Sequence, residues 1–296
     1  MSATSQLSPR NFLWVLRALV VASAVTMAIS ISHATDARSS AAGPVATAAW
    51  AAAVGALVVA LTVPSPLGLT VVRLVLPAAV PGAVIALALG GGAGWGAAAL
   101  TLAALATLVA FSAETAEALV QGSAYGHEQR LPLRAPAALL LPMAVSWAVW
   151  CAVSLGAILL LGGGHWLSGA LAAAAAAGIG WLLARRFHRF SRRWLVVVPA
   201  GVVLHDHVVL GETLMVQRTN VTVAQLATAD TQAADLTGPA AGHAVEIVMR
   251  DMELAVLAPT AADPKGKALH VQSLLVAPSR PGRALQAMAA VKVPVS

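Results

Sequence analysis

Two hydrophobic rhythms divide the chain. As far as residue 183 the apolar positions fall in six blocks, near 11–33, 41–63, 69–89, 95–112, 135–161 and 166–183. Each is close to the roughly 20 residues that an α-helix needs to cross a hydrocarbon core. From Trp194 onward the blocks shrink to short β-rich runs broken by Gly, Pro, Asp and Asn. The first pattern predicts an α-helical polytopic membrane bundle of about six spans over residues 1–184, and the second a small, mostly-β domain over 194–296. Residues 185–193, R-R-F-H-R-F-S-R-R, form an arginine-rich hinge between them.

The first block is apolar apart from Arg17 and admits two readings. It is either an uncleaved span or a secretory signal peptide with Ser32-His33-Ala34 as a weak cleavage site. Its length and the span that follows at once favour the former. The third block carries Arg73, Pro77 and Pro81, and Gly90-Gly91-Gly92-Ala93-Gly94 predicts the turn into the fourth. An ionisable residue at membrane depth is a functional candidate by default. Arg73, however, lies about one turn from the end of its block and can snorkel to the headgroups, while Glu114 and Glu117 fall just beyond the fourth. No block has a central Asp, Glu or Lys, which weakens the reading of the bundle as a small-molecule or lipid transporter. Gly90-x-x-x-Gly94, Gly92-x-x-x-Gly96 and the run Ala172 to Ala177 predict close helix packing or a homo-oligomer face, although a general alanine bias accounts for them equally well. The single cysteine, Cys151, leaves no disulfide framework and no thiolate metal site.

Charge then fixes the expected orientation. There are 11 basic and 4 acidic residues up to Arg193, against 7 and 8 beyond it. With the N-terminus inside, Arg10, Arg17, Arg73, Arg130, Arg134 and the five hinge arginines share one side, and only Arg38 falls on the other. The positive-inside rule therefore predicts that both termini are cytoplasmic. Arg185, Arg186, Arg189, Arg192 and Arg193 are predicted to contact anionic headgroups. A continuous helix would set Arg185, Arg189 and Arg192 at i, i+4 and i+7, with Phe187 and Phe190 as interfacial anchors. The alternative is that these arginines act only on topology. Because the β half is nearly neutral and has no basic stripe, nucleic acid is not an expected partner.

The segment from Ser112 to Arg134 is the most polar part of the first half. Tyr125, His127, Glu128 and Arg130 make it a candidate docking loop for the C-terminal domain or for a cytoplasmic protein partner. One His and one Glu without a nucleophile do not make a catalytic set. His205 and His207 are two residues apart with no third ligand evident, so an ordinary H-D-H turn is preferred over a metal pair. There is no Walker loop, no G-x-S-x-G and no H-E-x-x-H, so neither an enzyme nor a cofactor is expected.

In the β half the apolar runs are 194–198, 202–204, 208–210, 214–217, 221–223, 244–249, 252–258 and 268–277. They predict an antiparallel sandwich or barrel, closed by a helix over 279–291 with Ser279 as N-cap and Pro281 in its first turn. With its opening R-R-W-L-V-V-V-P-A-G-V-V-L-H-D-H and its closing V-A-P-S-R-P-G-R-A-L, this stretch resembles the bacterial pleckstrin-homology-like (PH-like) domains that follow transmembrane helices in uncharacterised, mostly actinobacterial membrane proteins. The resemblance covers roughly residues 190–292. It implies a binding or scaffolding module rather than an enzyme, at a bacterial inner membrane, with a role in envelope assembly or division.

Overall fold

The computed structural model describes residues 9–36, 38–259, 263–264 and 266–296. The chain divides into two compact units: residues up to Gly122 together with Ala144–Phe187, and Ser123–Met143 together with His188–Ser296. The second unit therefore takes a piece of chain from between the fourth and fifth spans.

The first unit is helical. In chain order the helices are α1 (Pro9–Thr35), α2 (Ala42–Thr62), α3 (Pro66–Val75), α4 (Ala79–Ala88), α5 (Ala93–Ala110), α6 (Ala113–Gln121), α7 (Ala137–Gly162) and α8 (Trp166–Ser191). Six segments are long and apolar enough to cross a membrane, with α3 and α4 together forming one of them. Pro77 and Pro81 lack the N–H groups that an unbroken helix would use, and the chain responds with a 3-10 turn at Leu76–Ala78. The Trp147 indole N–H donates to the Leu74 carbonyl beside this break at 2.9 Å. Ser65 caps α3 by accepting from the Gly68 N–H at 3.0 Å.

Arginines at the ends of the spans close other helices. Arg17 donates to the Leu61 carbonyl at 3.1 and 2.6 Å, and Arg73 donates to the Ala110 carbonyl at 3.2 Å. Both acceptors belong to the last turn of a helix, where carbonyls lack intrahelical donors and the dipole favours a cation. Arg73 is thus tied to α5, where the sequence predicts only snorkelling. Ala99, Ala103, Ala106 and Ala110 are fully buried along one stripe of α5, and Ala99 and Ala103 pack with Met27, Ala79 and Ala83. Val21, Val59, Leu108, Leu167 and Leu171 remain exposed, as a lipid-facing surface requires. The two G-x-x-x-G motifs do not form a helical face. Gly90 (φ +91°) and Gly92 (φ +73°) make the turn before α5. Of the four glycines only Gly96 is packed within a helix, where a Cβ would meet Leu87 Cδ1 at 2.6 Å.

The second unit holds two four-stranded sheets. The first has the order β1 (Gln129–Pro132), β2 (Trp194–Val198), β3 (Gly201–His205), β4 (Leu214–Gln217), all antiparallel. The second contains β5 (Val221–Leu226), β6 (Ala234–Asp235), β7 (Val245–Leu257) and β8 (Lys267–Val276) in the order β5-β7-β8-β6. Here β6 and β8 are parallel, a departure from the antiparallel expectation. Period-2 alternation sends Leu131, Leu195, Val197, Val202, Leu204, Leu214 and Val216 into the core, together with Ile247, Met249 and Leu274. The terminal helix α9 (Pro281–Ala290) contributes Ala284, Ala287 and Met288 to it.

Several boundaries differ from those predicted. The expected strand at 208–210 is a turn in which only Leu210 bridges, to Leu257. The two runs at 244–249 and 252–258 are one strand, β7, with a register shift between Val248 and Glu253. The N-cap of α9 is Arg280, with no side-chain cap bond, in place of Ser279. The polar segment 112–134 is not a free loop, because it contains α6, whose N-cap is Ser112, and then β1.

Candidate functional site: the outer face of the first sheet

The side chains opposite the core on β1, β2 and β3 form a polar and aromatic face. In register, Trp194 lies directly across from His205, and Arg130 is two residues along β1 from Pro132, which faces Trp194 on the other side. The Trp194 and His205 rings stack, with centroids 5.0 Å apart and planes 16° apart. The Arg130 guanidinium carbon lies 5.3 Å from the Trp194 ring centroid. Because β1 and β3 flank β2, the indole sits between a guanidinium and an imidazole, a cation–π arrangement on one side and a stack on the other. His207 extends the series, its ring edge-on to His205 at 4.4 Å.

The docking-loop residues separate into two groups. Arg130 and Glu128 form an ion pair at 2.7 Å, and Arg130 also donates to Ser123 Oγ at 2.8 Å. The same Glu128 oxygen accepts from the Tyr125 backbone N–H at 2.7 Å. The Tyr125 side chain is 83% exposed, and His127 is also exposed.

The five hinge arginines also separate. Arg185, Arg186 and Arg189 lie on α8, but that helix ends at Ser191, so Arg192 leaves the expected i, i+4, i+7 face. Arg185, Arg186, Arg189 and Arg192 are exposed, and none has a carboxylate within ion-pair distance among the described residues. Arg189 donates to the His207 carbonyl at 3.0 Å. Arg193 does not contact a membrane surface: it is 1% exposed. Its Nε and Nη2 donate to the two Asp206 carboxylate oxygens at 2.8 and 2.7 Å. Nη1 donates to the Arg134 carbonyl at 2.7 Å and Nη2 also donates to the Thr237 carbonyl at 3.2 Å. The Asp206 carboxylate accepts in addition from the Val208 N–H at 3.0 Å. Two charges removed from water persist only when paired and fully hydrogen-bonded, and this arrangement meets that demand. The H-D-H motif is therefore a structural anchor at its Asp and part of the outer face at its histidines.

The local field on this face is positive. Burial, followed by the charges of His207, Arg192 and Arg130, pushes the His205 pKa down to about 4, with Asp206 opposing. His205 is consequently neutral near pH 7. One ring nitrogen, Nδ1, lies 3.3 Å from Thr213 Oγ1, while Nε2 is buried without a partner among the described residues. Burial also lowers the Arg134 pKa. Among the described residues no group of three or more His, Cys, Asp or Glu side chains converges as metal ligands. Trp194 is buried and its ring is already taken up by His205 and Arg130, so the arrangement offers a ligand anion attraction but no aligned nucleophile and base. The sequence reading places Trp194 in a strand and Asp206 in a turn but assigns neither to the site; the one available signal for Asp206 is an acidic residue among short apolar β runs. No family model, curated protein or solved structure matches the chain.

Proposed function

We propose that this chain is a non-enzymatic membrane protein of the bacterial inner membrane, with both termini cytoplasmic, whose β unit is a PH-like binding and scaffolding module. The PH-like reading is supported by the element order: two four-stranded sheets followed by one terminal helix. The binding reading rests on one observation, the exposed and uncompensated Arg189 and Arg192 in the same unit as the Arg130, Trp194, His205 and His207 face. An anionic headgroup is the ligand this chemistry favours, and the exposed Tyr125 and His127 segment is the place offered to a cytoplasmic protein partner. A role in envelope assembly or division belongs to the same proposal.

The test uses the full chain in nanodiscs with and without anionic phospholipid. Two arginines at about 1 kcal/mol each near an anionic leaflet amount to roughly thirty-fold in a docking equilibrium. Amide exchange over Arg189–His207 should slow in the anionic discs. The slowing should vanish in Arg189→Gln/Arg192→Gln and weaken as salt rises. Equal exchange in neutral and anionic discs would refute the headgroup reading.

A further inference from the structure

The helical unit contains a cavity of about 760 Å³ between α1, α2, α4 and α7, at the end where α1, α4 and α7 finish and α2 begins. It exists because the wall is built from short side chains. Ala46, Ala49, Ala53 and Ala56 lie at i, i+3, i+7 and i+10 on one face of α2, opposite Ala78 and Ala79. Protein interiors pack to crystal-like density, and few voids larger than a water survive. A space of this size falls in the range of ligand pockets, and an apolar one takes apolar guests.

Most of the polar side chains in the wall are engaged by backbone carbonyls. Thr35 Oγ1 donates to the Ile31 carbonyl at 2.9 Å, Ser154 Oγ to the Trp150 carbonyl at 2.8 Å and Ser39 Oγ to the Gly162 carbonyl. The indole N–H groups of Trp50 and Trp150 donate to the Ala24 and Ala176 carbonyls, each at 3.1 Å. The lining is mainly hydrocarbon, and it includes the Cys151 thiol and one cation, Arg38. Arg38 is exposed and has no carboxylate partner among the described residues. It donates from Nε to the Ala34 carbonyl at 2.9 Å and from Nη2 to the Leu89 carbonyl at 3.4 Å, and Nη1, without a hydrogen-bond partner among the described residues, can bind an anion.

We infer that this cavity binds an amphiphile with a long hydrocarbon chain and an anionic head, the chain lying among the alanines and the head against Arg38. At about 30 Å³ for each water-sized group, the space takes roughly twenty-five carbon atoms, enough for one acyl chain and part of a second. The lining is mainly apolar, which disfavours a hydrophilic solute. The inference concerns the helical unit alone and stands independently of the headgroup proposal for the β unit.

The test uses the full chain in nanodiscs doped with a phosphatidylglycerol bearing a diazirine in one acyl chain. A phosphatidylcholine with the same chain and a free diazirine fatty acid are run in parallel. After photolysis, label should concentrate on the α2 and α4 peptides that line the cavity. The anionic probes should exceed phosphatidylcholine there by about fivefold, equivalent to roughly 1 kcal/mol. Comparing the two anionic probes tells a phospholipid from a free fatty acid. Arg38→Gln should reduce the ratio to about one without changing helix content. Ala53→Phe should remove cavity label while label at the lipid-facing Leu108 persists, with Ala53→Leu as the milder variant if the first does not fold. Label spread evenly over all lipid-facing helices, or an anionic preference unchanged in Arg38→Gln, would overturn the inference.

Discussion

Removing one member of the Arg193–Asp206 pair tests the account of the second unit most directly. Replacing Arg193 with Met keeps the apolar stem but leaves a carboxylate that is 1% exposed with one remaining donor among the described residues, the Val208 N–H. Breaking one side of a buried pair costs about 3–5 kcal/mol, because the surviving charge stays uncompensated. Asp206→Leu should be similarly severe, since Arg193 would retain only the Arg134 and Thr237 carbonyls. Arg193→Lys should also lose stability, because an ammonium cannot serve two carboxylate oxygens and two carbonyls in the plane of a guanidinium. The double variant Arg193→Met/Asp206→Leu removes both charges and should lose less than the sum of the singles by about 2 kcal/mol or more. Thermal unfolding of the full chain, followed by the strand signal in the infrared amide band, reads this out. At a few degrees for each kcal/mol, either single change should lower the unfolding midpoint by roughly 10 °C or more. Strictly additive singles, or a shift below about 3 °C, would show that the pair is not the anchor described.

Four further outcomes are expected. Leu131→Ala, at a buried position of β1, should cost the second unit about 2–5 kcal/mol by thermal unfolding. A fragment restricted to 184–296 should remain incompletely folded by near-ultraviolet circular dichroism until a peptide covering 123–143 is added, because β1 and the Arg134 carbonyl lie in that peptide. Gly201→Ala should destabilise the β2–β3 turn by more than about 1 kcal/mol in the same thermal assay, because its Cβ would lie 2.1 Å from the Val216 carbonyl oxygen. His205 has a folded pKa near 4 and an ordinary value of 6.5, so between these values the unfolded chain holds the extra proton. Stability should therefore fall as pH drops from about 6.5 to 4, and His205→Phe should flatten that slope in pH-dependent denaturation.

What could be read in advance follows from which forces act locally. Each span answers to the thickness of the hydrocarbon core, so a single apolar block carries the signal, and the structure places the six helical segments within a few residues of the expected blocks except at the end of α8, which runs eight residues past 183 to Ser191. Alternation within β2 and β4 was equally local, and both strands have the expected bounds. β1 was not legible, because Q-R-L-P is four residues long, contains a proline and finds its partner roughly 60 residues away. Arg193 was grouped with its neighbours because five arginines in a row of nine look alike until an aspartate reached through the β2–β3 hairpin selects one of them. The cavity was invisible for a related reason: alanine spacing says where a wall is thin, but only the arrangement of four helices says whether another side chain fills the gap.

The provenance of β1 sets a timetable for biogenesis. The strand leaves the ribosome before α7 and α8, yet its hydrogen-bonding partner Trp194–Val198 follows both. At about 5–20 residues per second, the intervening stretch takes roughly 3–12 s to translate. For that interval β1 has an unpaired edge, and its proline and flanking charges guard it against premature pairing with other chains. When β2 arrives, β1 gains its antiparallel neighbour from Gln129↔Val197 to Pro132↔Trp194. Completion of the first sheet thus waits on translation of both α7 and α8, and a chain that stops short of β2 leaves β1 without its partner strand.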